Sequence, residues 1–191
     1  MAGSASRGRL VPWVVVGLAV IAVLWYVSTR NSLVRLEEQI DSSWSEIDNQ
    51  LQRRSDLIPN LVATVKGFAT QEQQVFGQIA DARARMAGAG TVTEKADAYN
   101  QLQSALSRLL VVVENYPDLK SNQNFIRLQD ELAGTENRIA VARKRYNDAV
   151  RVFNTRIRQF PSSMVADGMG LAKRDYFEIE ESARTVPKVS F

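Results

Sequence analysis

One polar cluster in this chain combines residue types that recognise charge: Arg53, Arg54, Asp56, Pro59, Asn60 and Lys66, within the run QRRSDLIPNLVATVK. Neighbouring guanidinium groups can grip an acidic partner or a lipid headgroup through paired N–H donors, which makes this stretch a candidate interaction patch at a bundle end. The competing reading is structural: Asp56 caps a helix, and the arginines pair with acidic neighbours and stabilise the turn. Adjacent carboxylates at Glu37 and Glu38, and again at Glu180 and Glu181, would suit acid–base or metal work only if they converged. Consecutive residues on a helix point about 100° apart, so both pairs read as solvated faces. The corner Glu114-Asn115-Tyr116-Pro117 reads as a helix terminator.

The chain contains no cysteine and no histidine. That removes disulfides, thiol chemistry, Ser-His and Cys-His nucleophile pairs and histidine-based metal sites together. No GxxxxGK, GxGxxG, GxSxG or HExxH motif occurs, and Gly168-Met169-Gly170 follows no strand-like run. The expectation is a protein that is not an enzyme, with no catalytic, cofactor or metal residues and no small-molecule substrate. The isoelectric point near 9.3 hints at nucleic acid. Setting aside Arg7 and Arg9, however, leaves 22 of the 24 basic residues against 21 acidic ones. A near-neutral domain offers no basic footprint, and nucleic acid is discarded as a partner.

The element that must position everything else is Leu10–Ser28, LVPWVVVGLAVIAVLWYVS, which carries no charge. At about 1.5 Å of rise per residue it covers roughly 28 Å, close to the roughly 30 Å hydrocarbon core of a bilayer. A lone segment in lipid must satisfy its backbone internally, so it is helical. Trp13 near one end and Trp25 with Tyr26 at the other match the aromatic belts at headgroup level. The bulky exit Leu24-Trp25-Tyr26-Val27 argues against signal-peptide cleavage, which needs small residues. Arg7, Arg9 and the α-amine precede the span, and Arg30 and Arg35 follow it; the balance leans to an amino terminus inside and a domain outside the cytoplasm.

Beyond the span the apolar residues step by three and four. Leu33, Leu36, Ile40, Trp44, Ile47 and Leu51 draw one helical stripe. A break or kink is expected at Arg53–Pro59, with Ser55 or Asp56 as cap and Pro59 in the first turn of a second helix over Leu57–Met86. One continuous kinked helix would also keep the phase. The second helix would bury Leu61, Val62, Val65, Phe68, Phe76 and Ile79, and end at Ala87-Gly88-Ala89-Gly90, where glycine accepts the left-handed conformation. Thr91-Val92-Thr93-Glu94 opens a third helix with a capping box, which runs to Tyr116-Pro117. A fourth, from Asn122 to Phe160, carries a heptad seam: Phe125, Leu128, Leu132, Thr135, Ile139, Ala142, Tyr146, Ala149, Phe153, Ile157 and Phe160. No strand signal competes. The fold class is all-α, a transmembrane helix followed by a long antiparallel four-helix bundle. The domains are a basic tail (1–9), the span (10–28), the bundle (29–160) and a C-terminal segment (161–191). That last segment is apolar enough to pack on the bundle, a neighbouring copy or the membrane.

These residues carry a family resemblance. Trp44-Ser45-x-Ile47, then Gln50-Leu51-x-Arg53-Arg54-x-Asp56-Leu57-Ile58-Pro59-Asn60-Leu61-Val62-x-x-Val65-Lys66-Gly67, resembles the signature block of LemA family membrane proteins. Ala82-Arg83-Ala84-Arg85, Glu114-Asn115-Tyr116-Pro117-Asp118-Leu119-Lys120, Ala142-Arg143-x-x-Tyr146-Asn147-x-x-Val150 and the end from Phe160-Pro161-Ser162 to Phe191 fit as well. The resemblance implies a single-pass bacterial membrane protein with a long helical bundle, and it brings no enzymatic activity.

The functional expectation is a membrane-anchored helical scaffold or interaction protein of the bacterial cell membrane. Its partners would be the lipid bilayer, further copies of itself and a membrane protein, with Trp44, Phe76 and the aromatic tail offering apolar surface to neighbours. The alternative is an envelope-stress signalling or regulatory stalk acting on a membrane-protein partner such as a protease, with Pro59 as its bistable element.

Overall fold

The apolar run and the stripe that follows it form one uninterrupted helix in the computed structural model, which describes residues 7–179, with side chains from residue 12 onward. Helix α1 extends over Arg7–Lys66, and one stretch near its start is long and apolar enough to cross a membrane. The break expected at Arg53–Pro59 is absent. Its place is taken by a stripe that stays in phase through Leu51, Arg54, Ile58, Leu61 and Val65, all buried. Burying an aliphatic side chain is worth roughly 1.5–3 kcal/mol, so Ile58, Leu61 and Val65 together exceed the cost of about 3 kcal/mol for a proline inside a helix. The helix ends instead at Gly67, and α2 begins only at Gln73, running to Gly88.

Helix α2 buries Phe76, Ile79, Ala82 and Met86; Phe68, in the preceding turn, is exposed rather than buried. Its end falls at the expected glycines, but Ala89 closes it in extended conformation, and neither Gly88 nor Gly90 has positive φ. Helix α3, Val92–Val113, opens with the expected capping box between Thr91 and Glu94. Pro117 starts the short helix α4, Pro117–Lys120. Helix α5, Gln123–Arg156, is capped by the Asn122 Oδ1, which accepts from the Asn124 and Phe125 amides at 2.9 and 3.1 Å. Its seam is buried from Leu132 to Ile157. The helix stops at Arg156, short of the expected Phe160, because Ser162 turns back: its hydroxyl lies 2.9 and 2.8 Å from the Arg156 and Gln159 carbonyls. Phe160 is therefore exposed, and α6 follows over Ser162–Gly168. No strand occurs among the described residues, and the fold is all-helical.

The chain divides into two compact units, with α1 and α5 each contributing to both. The first joins Met1–Asp41 with Ala149–Arg174; Leu33, Ile40, Val150, Phe153, Val165 and Ala166 form its core. Within it Asn154 exchanges two 2.9 Å hydrogen bonds with the backbone of Arg174. The second joins Ser42–Asp148 with Asp175–Phe191. There α2 packs on α3, with Arg108 donating to Gln78 and Arg85 to Gln101. Asn147 makes a matching pair with the backbone of Phe177, at 3.1 and 2.9 Å. Glu180, Glu181 and Phe191 lie outside the described residues.

Candidate functional site

The second unit contains a charged network built on α1, α3 and α5. Arg54 occupies a stripe position on α1 and is only 5% exposed. One terminal nitrogen donates to Glu136 Oε2 at 2.5 Å and also lies 3.5 Å from the Leu132 carbonyl, while the other donates to Gln103 Oε1 at 2.5 Å. The same Glu136 oxygen accepts from the Tyr99 hydroxyl at 2.5 Å and from the Gln103 amide at 2.7 Å. Burial pushes the Tyr99 phenol well above its ordinary range; Arg54 opposes this and Glu136 adds to it. Thr135, the polar member of the α5 seam, returns its hydroxyl to the Leu132 carbonyl. The Tyr99 ring meets Phe177 at 6.1 Å, and Trp44 contacts both Tyr146 and Phe177 at 5.5 and 6.0 Å. The surface expected at Trp44 and Phe76 is thus largely used inside the chain: Trp44 is half-buried and Phe76 is buried.

The structure separates the residues of the sequence patch. Arg54 points inward, whereas Arg53, Asp56, Pro59, Asn60 and Lys66 are exposed. Adjacent arginines on a helix point in different directions, so they form no joint grip. Asp56 lies in the interior of α1 and caps nothing, since the helix continues for ten residues past it to Lys66. Lys66 sits 5.2 Å from the centroid of the Phe76 ring. Pro59 has a consequence four residues back: without its N–H, the Ser55 carbonyl loses its helical donor. Arg83 on α2 replaces it, with Nε 3.1 Å from that carbonyl and 3.0 Å from the Ser55 hydroxyl.

Chemically, this network holds helices together. Glu136 Oε2 accepts from three donors, and the buried Tyr99 phenol keeps its proton. A shallow groove of about 210 Å³ opens beside the network, lined by Leu61, Leu106, Leu110, Leu132 and Ala133. No cluster of three or more metal-ligating side chains occurs among the described residues.

The LemA family model matches residues 43–191, which include every member of the network. The chain belongs to the LemA family. Similar proteins include the magnetosome protein MamQ 2 of Paramagnetospirillum magneticum, 26% identical over 91% of this chain and 74% of that protein. The magnetosome protein MamQ of Magnetospirillum gryphiswaldense is 24% identical over 96% of this chain and 78% of its own. Protein LemA of Metamycoplasma hominis is 24% identical over 83% and 73%. None of these names denotes an enzyme.

Two features of this LemA family chain escaped the residue pattern. The first is that Arg54 belongs to the core. Its signal lies in the spacing, because Leu51, Arg54 and Ile58 keep the three-and-four step through the expected break. The second is the partner set of Glu136, Gln103 and Tyr99. Glu136 sits beside Thr135 on the seam, so a polar seam position flanked by a carboxylate is the only local hint of a buried cation opposite.

Proposed function

We propose that this LemA family chain is a single-pass membrane protein whose helices, arranged in the second unit as an antiparallel four-helix bundle, form a non-catalytic interaction body that assembles with further copies. The observation that carries this reading is the continuity of α1: the apolar stretch and the stripe of the body belong to one helix. An anchor that confines copies to the plane of one bilayer raises the effective concentration of facing surfaces. The order of the α2–α3 pairs, Gln78 with Arg108 and Arg85 with Gln101, supports the antiparallel arrangement. Phe68, Leu110, Val111 and Ile126 of the second unit are exposed and supply apolar surface for neighbours. The exposed remainder of the sequence patch, Arg53, Asp56, Asn60 and Lys66, is a polar rim for the same contacts.

The signalling reading has less support, because the carbonyl freed by Pro59 already has a donor in Arg83. Light scattering of the full-length chain in mild detergent tests the assembly. A mass of two or more chains is expected, falling when Val111→Glu and Ile126→Glu are combined; a strict monomer at high concentration contradicts the assembly.

A further inference from the structure

Within the first unit, burial starts directly after the apolar stretch. Side chains from Pro12 to Ser28 are exposed, yet Thr29 is 4% exposed and Leu33 is fully buried. The only other segment of this unit is Ala149–Arg174, so that segment covers them. Two contacts set its level. Arg174 donates to Glu37 at 3.3 Å, and Asn154 holds the Arg174 backbone, which brings Asn154 level with Glu37. Helix α5 runs antiparallel to α1, pairing Glu136 with Arg54 and Arg145 with Glu46, and ends at Arg156, so the turn that carries Phe160 follows its span-proximal end.

At that level the unit turns two large apolar side chains outward: Phe160 is 81% exposed and Met164 is 66% exposed. The surrounding charge is one-sided. The segment Ala149–Arg174 carries five basic residues and one acidic residue, Asp167, whereas the chain after the span is nearly neutral. Arg30, Arg156, Arg158 and Lys173 are all exposed.

We propose that this face, Phe160 and Met164 rimmed by Arg30, Arg156, Arg158 and Lys173, rests in the anionic headgroup layer of the bilayer that α1 crosses. The inference rests on the reading of Leu10–Ser28 as a membrane span. Aromatic and thioether side chains gain by leaving water for the acyl boundary, while arginine and lysine lay their stems on apolar surface and reach the phosphates. The occupant is lipid rather than a second copy, because two such faces would confront each other with like charge. The first unit is then attached at two points, the span and this face, and its own tilt against the bilayer is restricted.

The absence of native cysteine allows single labelling. The full-length chain carries an environment-sensitive fluorophore at Phe160→Cys or Met164→Cys, with Leu18→Cys reporting the span and Val111→Cys reporting the second unit. Each is reconstituted into vesicles of phosphatidylcholine and phosphatidylglycerol containing lipid spin-labelled near the headgroup, and unchanged circular dichroism confirms folding. Quenching at positions 160 and 164 is expected to exceed that at 111 by about twofold or more, and to fall when Arg156→Gln and Arg158→Gln are added. Quenching at 18 without an excess at 160 and 164 overturns the proposal and leaves the span intact. Loss of quenching at 18 as well overturns both.

Discussion

Arg83 donates from Nε to the Ser55 carbonyl at 3.1 Å, the carbonyl that Pro59 leaves without a helical donor. A proline within α1 and an arginine on α2 are thereby coupled through a group that neither carries. Arg83→Ala is expected to destabilise the chain by about 1–3 kcal/mol, the cost of leaving a partly buried acceptor unsatisfied. In a Pro59→Ala background the Ser55 carbonyl regains a backbone donor, and the cost should drop by at least about half. Denaturant unfolding of the four proteins of this cycle in detergent checks it. Strict additivity would mean that the arginine acts independently of the proline.

The Arg54–Glu136 pair is asymmetric, and its mutants should be too. The Arg54 side chain is 6% exposed and that of Glu136 is 35% exposed, so a stranded carboxylate can hydrate whereas a stranded guanidinium cannot. Glu136→Met is expected to cost about 3 kcal/mol, as for an uncompensated buried charge. Arg54→Met should cost less than half of that, because the released Glu136 turns to water. Equal losses in urea titrations would count against the inward placement of the arginine.

Alkaline pH should weaken the second unit through Tyr99. Its phenol is neutral in the folded chain well above the unfolded value of about 10. Below that value both states hold the proton and stability is unaffected. Above it only the folded state does, so stability falls with a slope approaching 1.4 kcal/mol per pH unit. Melting temperatures of wild type and Tyr99→Phe between neutral pH and pH about 11 compare the slopes. The substitution should make the decline shallower; identical curves would refute the assignment.

At the start of α3, Thr91→Ala is expected to cost about 1 kcal/mol through loss of the capping bond to the Glu94 amide. The Gly90 and Thr91 amides, donating to the Glu94 carboxylate at 2.9 and 3.1 Å, hold its pKa below the usual carboxylate range. Their contribution is present above the unfolded value and is lost as pH falls through the lowered one. Protection factors at Gly90 and Thr91, taken relative to the intrinsic exchange rate at each pH, should therefore fall in acid, and Glu94→Gln should weaken that dependence.

Asn147 and Asn154 clip the C-terminal segment to α5 by holding both backbone polar groups of Phe177 and Arg174. Their spacing of seven helical residues rises about 10.5 Å, close to the reach of about 10 Å for the three-residue step from Arg174 to Phe177. Asn147→Ala combined with Asn154→Ala should increase tryptic cleavage at Lys173 and Arg174 about tenfold or more, since releasing either rung loses a paired hydrogen bond. Unchanged cleavage would show that contacts other than the two asparagines hold the segment.

Periodic features were legible from residue order: the apolar span, the capping box at Thr91–Glu94, the seam of α5 and the glycine-marked end of α2. Each is a local pattern whose physical cause lies within a few turns. Residue order left Arg53–Pro59 open between a break and one continuous helix, because a proline and two arginines interrupt a stripe that keeps its phase. Proline costs one hydrogen bond and an arginine costs burial, but Arg83 and Glu136, 24 positions beyond Pro59 and 82 beyond Arg54, supply the missing partners. Those compensations are tertiary, and no local window contains them. The exposure of Phe160 is of the same kind, because it depends on where Ser162 turns the chain.

Residues 10–28 of this LemA family chain are proposed to hold a helical interaction body on a bilayer. Flotation of membranes bearing the full-length chain, after washing with carbonate and concentrated salt, measures this most directly, alongside a chain lacking residues 1–28. The full-length protein is expected to float with lipid and the shortened chain to be released by the wash. Release of the full-length chain as freely as a soluble marker would overturn membrane anchoring by residues 10–28.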